Sequence, residues 1–272
     1  LSGTLHGLMR VRAFTQDDAH IFMLPSQIQE EIEGVIDFVD EVYRTFGFRY
    51  HVELSTKPEN AIGDDAMWEV AIEALRVSLE AKKLDYVVNE GDGAFYGPKI
   101  DFHLEDSIGR TWQCATIQLD FAMPERFDLT YIDENNERKR PVMIHRVLYG
   151  ALERFMAILV EHTAGAFPTW LAPVQVQVIP VGDDYLEYAD QVEDVLSRAG
   201  VRVEVDRRGE KLGKKIREAQ LQKIPYMLVV GQKEQEAGQV SVRDRREGDI
   251  GSLTMEDFLS KIQEEIAERK NN

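Results

Sequence analysis

Gly7-Leu-Met-Arg10-Val-Arg12-Ala-Phe-Thr-Gln16-Asp-Asp18-Ala-His20 places two guanidinium groups, two carboxylates and an imidazole within fourteen residues. Such a concentration of polar groups reads as a site. Period-two alternation predicts a strand from Leu8 to Phe14, with Arg10 and Arg12 on one face and Met9, Val11 and Ala13 on the other. Two guanidiniums fixed on one sheet face suit phosphate or carboxylate, whose oxygens they bind in pairs. A solvated strand face is the plainer alternative.

Downstream, Pro25-Ser26-Gln27-Ile28-Gln29 predicts a serine N-cap with a capping box to Gln29. Ile28, Ile32, Ile36, Val39, Tyr43 and Phe46 then recur at helical spacing up to Gly47. Alternation of Phe48, Tyr50, Val52 and Leu54 with Arg49, His51 and Glu53 predicts a strand. Asp64 or Asp65 caps a second predicted helix carrying Trp68, Ala71, Leu75 and Leu79. A second alternating run, Ile100 to Glu105, turns at Asp106-Ser-Ile-Gly109 into a further strand from Arg110 to Phe121. A third helix is expected from about Val142 or Ile144 to Thr163, on the stripe Val147, Ala151, Phe155 and Leu159. These elements predict an antiparallel sheet with helices packed against it.

Pro168-Thr-Trp-Leu-Ala-Pro173 breaks the pattern, which sets the expected domains at 1–171 and 172–272. In the second, strands (174–181, 201–206, 226–230) alternate with helices (184–199, 213–222, 255–268), the rhythm of a small α/β domain with a mostly parallel sheet.

With 272 residues and 43% apolar content the chain can bury one or two cores. No run of eighteen apolar residues signals a membrane span. Cys114 is the single cysteine, so an intrachain disulfide is excluded, and with no leader pattern ahead of the first motif a reducing, cytoplasmic setting is expected. The net charge of -17 excludes a surface coated uniformly for nucleic acid. Locally, seven basic residues against three acidic ones between Val201 and Arg217 leave room for a nucleic-acid patch. The start at Leu1, in the middle of a motif, creates the expectation of a fragment.

Common nucleotide loops are missing. Gly209-Glu-Lys-Leu-Gly213-Lys-Lys215 has three residues between its glycines where a P-loop needs four, and no hydroxyl follows. Gly91-Asp-Gly-Ala-Phe-Tyr-Gly97 lacks the dinucleotide-binding spacing and its helix.

The run from Ser2 through Gly7-Leu-Met-Arg-Val-Arg12, followed by Phe14-Thr-Gln-Asp-Asp-Ala-His20, resembles the second signature of class II aminoacyl-tRNA synthetases in its threonyl form. The resemblance extends over nearly the whole chain. It implies an α+β antiparallel sheet of class II synthetase type, N-terminally incomplete, followed by a small α/β anticodon-binding domain. It places ATP-binding and catalytic roles on Arg10 (or Arg12), on Arg154 in Gly150-Ala-Leu-Glu-Arg154-Phe, and on Lys99. Gln16, Asp18, Tyr96, Gln113 and Gln118 become threonine and adenylate contacts. His20, and His145 in Pro141-Val-Met-Ile-His145-Arg, become two zinc ligands, the third being a cysteine expected upstream. Cys114 does not match that position and reads as a small buried residue. Arg208, Lys211, Arg217, Glu234 and Arg243 match anticodon contacts, where basic groups hold phosphates and planar or acidic groups read unstacked bases.

The implied activity is ATP- and Mg²⁺-dependent activation of threonine, then transfer to the terminal ribose of tRNA(Thr), by a homodimer in the intact enzyme and with no membrane involvement. Zinc answers a selectivity problem. A hydrophobic pocket separates threonine poorly from isosteric valine, whereas a site that must engage the hydroxyl rejects its absence by roughly 10⁴-fold. Two other functions stay open at this stage: a catalytically incomplete, synthetase-derived tRNA-binding protein, and an amino-acid sensor.

Overall fold

A computed structural model describes residues 3–271; Ser2, which opens the synthetase-like motif, lies outside them. The described residues form two compact units that part between His162 and Thr163.

In the first unit, six strands make one sheet: β1 (Ala19–Met23), β2 (Tyr50–Ser55), β3 (Tyr86–Asn89), β4 (Lys99–Glu105), β5 (Thr111–Asp120) and β8 (Val142–Val147). Their order is β1-β8-β5-β4-β2-β3. All neighbours run antiparallel except β2 and β3. That parallel pair follows from its connection, because the chain crosses from β2 to β3 through helix α2 (Asp65–Ala81) rather than a hairpin. A small hairpin, β6 (Tyr131–Ile132) and β7 (Arg138–Lys139), and the short helix α3 (Ala122–Arg126) lie between β5 and β8.

The two faces of this sheet have opposite chemistry, as the alternation of strand side chains requires. Val52, Leu54, Ile100, Phe102, Leu104, Ala115, Ile117, Leu119 and Ile144 are buried on the apolar face. Helix α1 (Ile28–Phe46) supplies Ile32, Ile36, Val39 and Tyr43 to the same core, and α2 supplies Trp68, Ala71, Leu75 and Leu79. Removing one such side chain, for example Leu54→Ala, would cost about 2–5 kcal/mol. Tyr43 also locks α1 to the sheet: its hydroxyl donates to the Leu148 carbonyl (2.9 Å) and accepts the Ala115 N–H (2.9 Å). The opposite face carries His51, Glu53, Lys99, Asp101, His103, Thr116, Gln118, His20 and His145.

Three sequence expectations need correction here. Leu8–Phe14 is not a strand. Within it only Arg10 pairs, through an isolated bridge to His6, and the next bridge, Gln16 with Ala151, lies beyond the segment; without a continuous neighbour a strand has nothing to satisfy its backbone. The run from Val142 is strand β8, held between β1 and β5, and helix α4 begins only at Leu152 and ends at His162. Ser26 caps no helix. The chain instead enters α1 through a 3₁₀ turn, Pro25–Gln27, where the Gln27 side chain accepts the Leu24 N–H (2.9 Å). Other signals agree with the structure: Asp64 accepts the Met67 N–H at the start of α2 (2.7 Å), and Gly47, at φ 74°, closes α1 in the left-handed conformation.

The second unit is α/β. Strands β9 (Val176–Pro180), β10 (Val203–Val205) and β11 (Tyr226–Val230) are parallel, and β12 (Gln239–Asp244) and β13 (Gly248–Thr254) extend the sheet antiparallel in the order β10-β9-β11-β12-β13. Helices α5 (Leu186–Arg198) and α8 (Met255–Ala267) share one core with Val176, Val178 and Leu228. Helix α6 (Leu212–Leu221) joins a second around Ile179 and Met227, and α7 (Gln232–Ala237) leads into β12.

Candidate active site

On the polar face of the first unit's sheet, Arg10, Gln16, Asp18, Tyr96, Gln113, Gln118, His145 and Arg154 line one cavity of about 360 Å³. Met9, Cys114, Thr116 and Gly150 also contribute to its walls. Arg10 lines it and Arg12 does not, although the predicted strand that would have displayed both is absent. Lys99 and His20 do not line it: His20 stands one contact behind the wall, and Lys99 reaches it through Asp101, which holds Gln113 and Thr116. Lys99 Nζ is 2.6 Å from Asp101 Oδ2, and the His20 ring meets His145 edge-on with centroids 4.7 Å apart.

Arg154 is fixed without an acid. Its Nε donates to the Met9 carbonyl and its Nη1 to the Gln113 carbonyl, both at 2.9 Å, and the guanidinium lies 5.4 Å from the Trp112 ring centroid. Among the described residues no carboxylate comes within ion-pair distance of it. Carbonyl dipoles hold the group in place but leave its charge uncancelled, which suits an anionic ligand. Trp112 is itself anchored, its Nε1 donating to buried Asp106 (2.9 Å). Cys114 behaves as an inert wall residue: burial pushes its thiol up to about 12, only partly opposed by the Arg154 charge.

At the other end of the cavity, β1 and β8 place His20 directly opposite His145. Asp120, fully buried, accepts from His145 Nε2 at 2.8 Å. A carboxylate only accepts, so Nε2 carries the bonded proton and Nδ1 is the ring nitrogen left to meet another partner. Tyr96 packs 5.4 Å from the same ring. Burial raises the phenol's pKa and the Asp120 and Asp18 charges raise it further, so Tyr96 is a hydrogen-bond donor. This donor set fits zinc: two imidazoles meet across adjacent strands, and one is held by a buried carboxylate in the manner usual for metal-bound histidine.

Three carboxylates that organise the site were not singled out in the sequence. Asp17 ties the arm before β1 to the end of β8: its Oδ2 accepts the Leu148 N–H (2.8 Å) and its Oδ1 the Tyr149 N–H (3.0 Å). Asp101 is a buried hub accepting from Lys99, Gln113 (2.6 Å), Thr116 (2.8 Å) and Ser55 (3.3 Å). Asp120 is the third. The signal available for Asp101 was its place on the polar side of an alternating strand; nothing local marked Asp120.

In the second unit, Arg208, Lys211 and Arg217 lie on or just before α6, Glu234 on α7 and Arg243 on β12. The local positive excess is largely neutralised. Arg208 pairs with Asp206 (2.5 Å) and Glu218, Arg207 with Asp190 and Glu193, and Lys214 with Glu210. Glu234 accepts the Gly231 N–H (3.0 Å). Lys211 and Arg217 remain exposed, and Arg243 Nε is buried without a partner.

A largely antiparallel sheet with apolar helices on one face, and on the other guanidiniums beside a histidine pair, is the arrangement of a class II synthetase core. Residues 2–163 match the family model "tRNA synthetase class II core domain (G, H, P, S and T)" and residues 175–265 match "Anticodon binding domain"; the chain belongs to this class II core family. Within the family it is similar to the threonine enzymes. It is 64% identical over 271 residues to threonine–tRNA ligase of Acetivibrio thermocellus, a match covering 100% of this chain and 43% of that protein. The chain thus spans less than half the length of the curated relatives it matches. Among solved structures, the RNA binding domain of threonyl-tRNA synthetase from Cryptosporidium parvum Iowa II superposes with a TM-score of 0.92 at 44% identity, covering 97% of this chain and 67% of that one. A putative threonyl-tRNA synthetase from Aeropyrum pernix gives 0.79 at 28% identity, covering 100% and 67%. No helix among the described residues is long and apolar enough to cross a membrane.

Proposed function

We propose that this chain carries the adenylate-forming and anticodon-binding parts of a threonine–tRNA ligase, which activates threonine with ATP and Mg²⁺ and transfers it to the terminal ribose of tRNA(Thr). The observation that carries the reading is the single cavity in which acid-free Arg154 and Arg10 face Asp18, Tyr96 and His145.

Each group then has a task. As a threonine carboxylate oxygen bonds to the α-phosphorus and the bond to the departing pyrophosphate breaks, negative charge gathers on phosphate oxygens, and the Arg154 guanidinium stabilises it from a position its two carbonyl bonds have already set. Arg10 takes a second phosphate contact. Gln113 and Gln118 border the adenylate, with Gln118 Nε2 donating to the Gly97 carbonyl (3.3 Å). Asp18, with zinc, engages the threonine hydroxyl, and Gln16 and Tyr96 offer hydrogen bonds beside it. Lys99 positions Asp101, and through it Gln113. His20 and His145 would hold zinc, which when bound supplies a Lewis acid for the threonine hydroxyl and so the means to refuse valine. Serine keeps that hydroxyl and is refused less well. No side chain serves as a covalent nucleophile; orientation and charge do the work.

In the second unit Lys211 and Arg217, with Arg208, Glu234 and Arg243, form the anticodon surface. A homodimeric intact enzyme working in the cytoplasm completes the proposal. ATP–pyrophosphate exchange with zinc and magnesium present tests it. Threonine-dependent exchange, weak with serine and absent with valine, is expected; folded protein that exchanges nothing while binding tRNA would instead favour a non-catalytic tRNA-binding role.

A further inference from the structure

His51 on β2 and His103 on β4 are direct cross-strand partners, and their imidazoles stack with centroids 4.8 Å apart and planes inclined by 17°. Glu53, two residues along β2 and therefore on the same face, reaches both. Its Oε1 is 3.2 Å from His51 Nε2 and its Oε2 is 3.6 Å from His103 Nε2. One nitrogen from each ring and one carboxylate oxygen all fall within 4.8 Å of one another. We propose that His51, Glu53 and His103 form a second metal site, for a borderline divalent ion of the zinc class.

Three observations support a built site rather than a chance meeting of side chains. The β4–β5 ladder slips one residue at Phe102/His103, a local irregularity of the kind that re-aims a side chain. Asn89 Nδ2 donates to Glu53 Oε2 (3.2 Å) and orients the carboxylate as outer partners of metal ligands do. No lysine or arginine among the described residues pairs with Glu53, so no fixed positive charge competes with a metal for its carboxylate.

The donors decide the class of ion. Two imidazole nitrogens and one carboxylate oxygen suit Zn²⁺, Co²⁺, Ni²⁺ or Cu²⁺, whereas Mg²⁺ and Ca²⁺ require oxygen shells. The side chain of His51 is 44% exposed against 18% for His103, so water can complete the coordination from the open side. The His20 and His145 pair belongs to β1 and β8, on the far side of β5 in the same sheet, so the two sites are separable by mutation.

Calorimetric titration of Zn²⁺ into the chain at neutral pH provides the test, repeated on His51→Ala, His103→Ala, Glu53→Gln and a His20→Ala/His145→Ala double variant. Co²⁺ absorption reports the coordination, and far-UV circular dichroism reports the fold. Glu53→Gln keeps shape and hydrogen bonding while removing the anionic ligand, so it carries the test if either alanine variant misfolds. The expected result is a binding event weakened at least about tenfold in each of the three and retained in the double variant. Zinc binding unchanged in His51→Ala and Glu53→Gln, or no binding by the unsubstituted chain at millimolar zinc, would overturn the proposal.

Discussion

Asp120 Oδ2 lies 2.8 Å from His145 Nε2, while Oδ1 of the same carboxylate accepts the N–H groups of Ala122 (2.8 Å) and Met123 (2.9 Å). One buried side chain therefore fixes both the end of β5 and the presentation of a proposed zinc ligand. Asp120→Ala leaves a buried Ala122 N–H and the His145 ring without their partner and should destabilise the fold by about 1–3 kcal/mol, read by urea unfolding. Asp120→Asn keeps an acceptor for the turn but loses the charge; here the expected change is a threonine KM raised about 10–100-fold with the ATP KM little altered.

Arg154 gives a second prediction. It makes no ion pair, but Arg154→Lys gives up at least one of its two carbonyl bonds, so stability should fall by about 1.5–3 kcal/mol. A lysine cannot span the Met9 and Gln113 carbonyls while also presenting a planar donor pair. Threonine-dependent pyrophosphate exchange should fall about 10²–10³-fold, the usual loss for a charge-stabilising donor.

Gly97 is demanded by close backbone approach. A Cβ there would sit 2.0 Å from the Leu119 carbonyl oxygen and 3.1 Å from its carbon. Gly97→Ala must push apart the Tyr96 segment and β5, at a cost of about 1–3 kcal/mol in thermal or chemical unfolding.

Asp106 sets a pH dependence. Burial alone would raise its pKa, but hydrogen bonds from Trp112, from the Arg110 backbone and side chain and from the Ile108 N–H outweigh it and hold the group at about 2. A carboxylate lowered in the folded state contributes stability above its unfolded value of 3.8, and that stability fades as pH falls through about 2. Asp106→Asn should therefore be less stable than the unsubstituted chain at pH 7, and the gap should narrow between pH 4 and pH 2.

The parts of this molecule legible in the sequence are those set by local periodicity. The apolar stripe of α1, the Asp64 cap of α2, the alternation in β4 and the β–α rhythm of the second unit all appear close to where they were expected. What failed was decided by distant partners. Val142–Val147 satisfies a helical stripe and a buried strand equally well, and pairing with β1 and β5 settles it as a strand. Arg10 reaches the cavity from an irregular arm tied down by Asp17, which no period predicts. Eight of the candidate site residues line one cavity, but Asp101 and Asp120 act through bonds to residues 12–25 positions away, a relation that alternation alone does not reveal. In the basic run at 201–217, Arg207, Arg208 and Lys214 are matched by acids, several of them on neighbouring elements, while Lys211 and Arg217 stay exposed, a division that counting charges along the chain does not reveal.

The central claim is that this cavity recognises threonyl-adenylate. Calorimetric titration with a non-hydrolysable threonyl-adenylate analogue, beside its seryl and valyl counterparts and with zinc present, tests it most directly. The account predicts binding of the threonyl analogue, weaker binding of the seryl one, at least about 100-fold discrimination against the valyl one, and loss of binding in Arg154→Ala. Equal affinity for the threonyl and valyl analogues, or tight binding that survives Arg154→Ala, would contradict it.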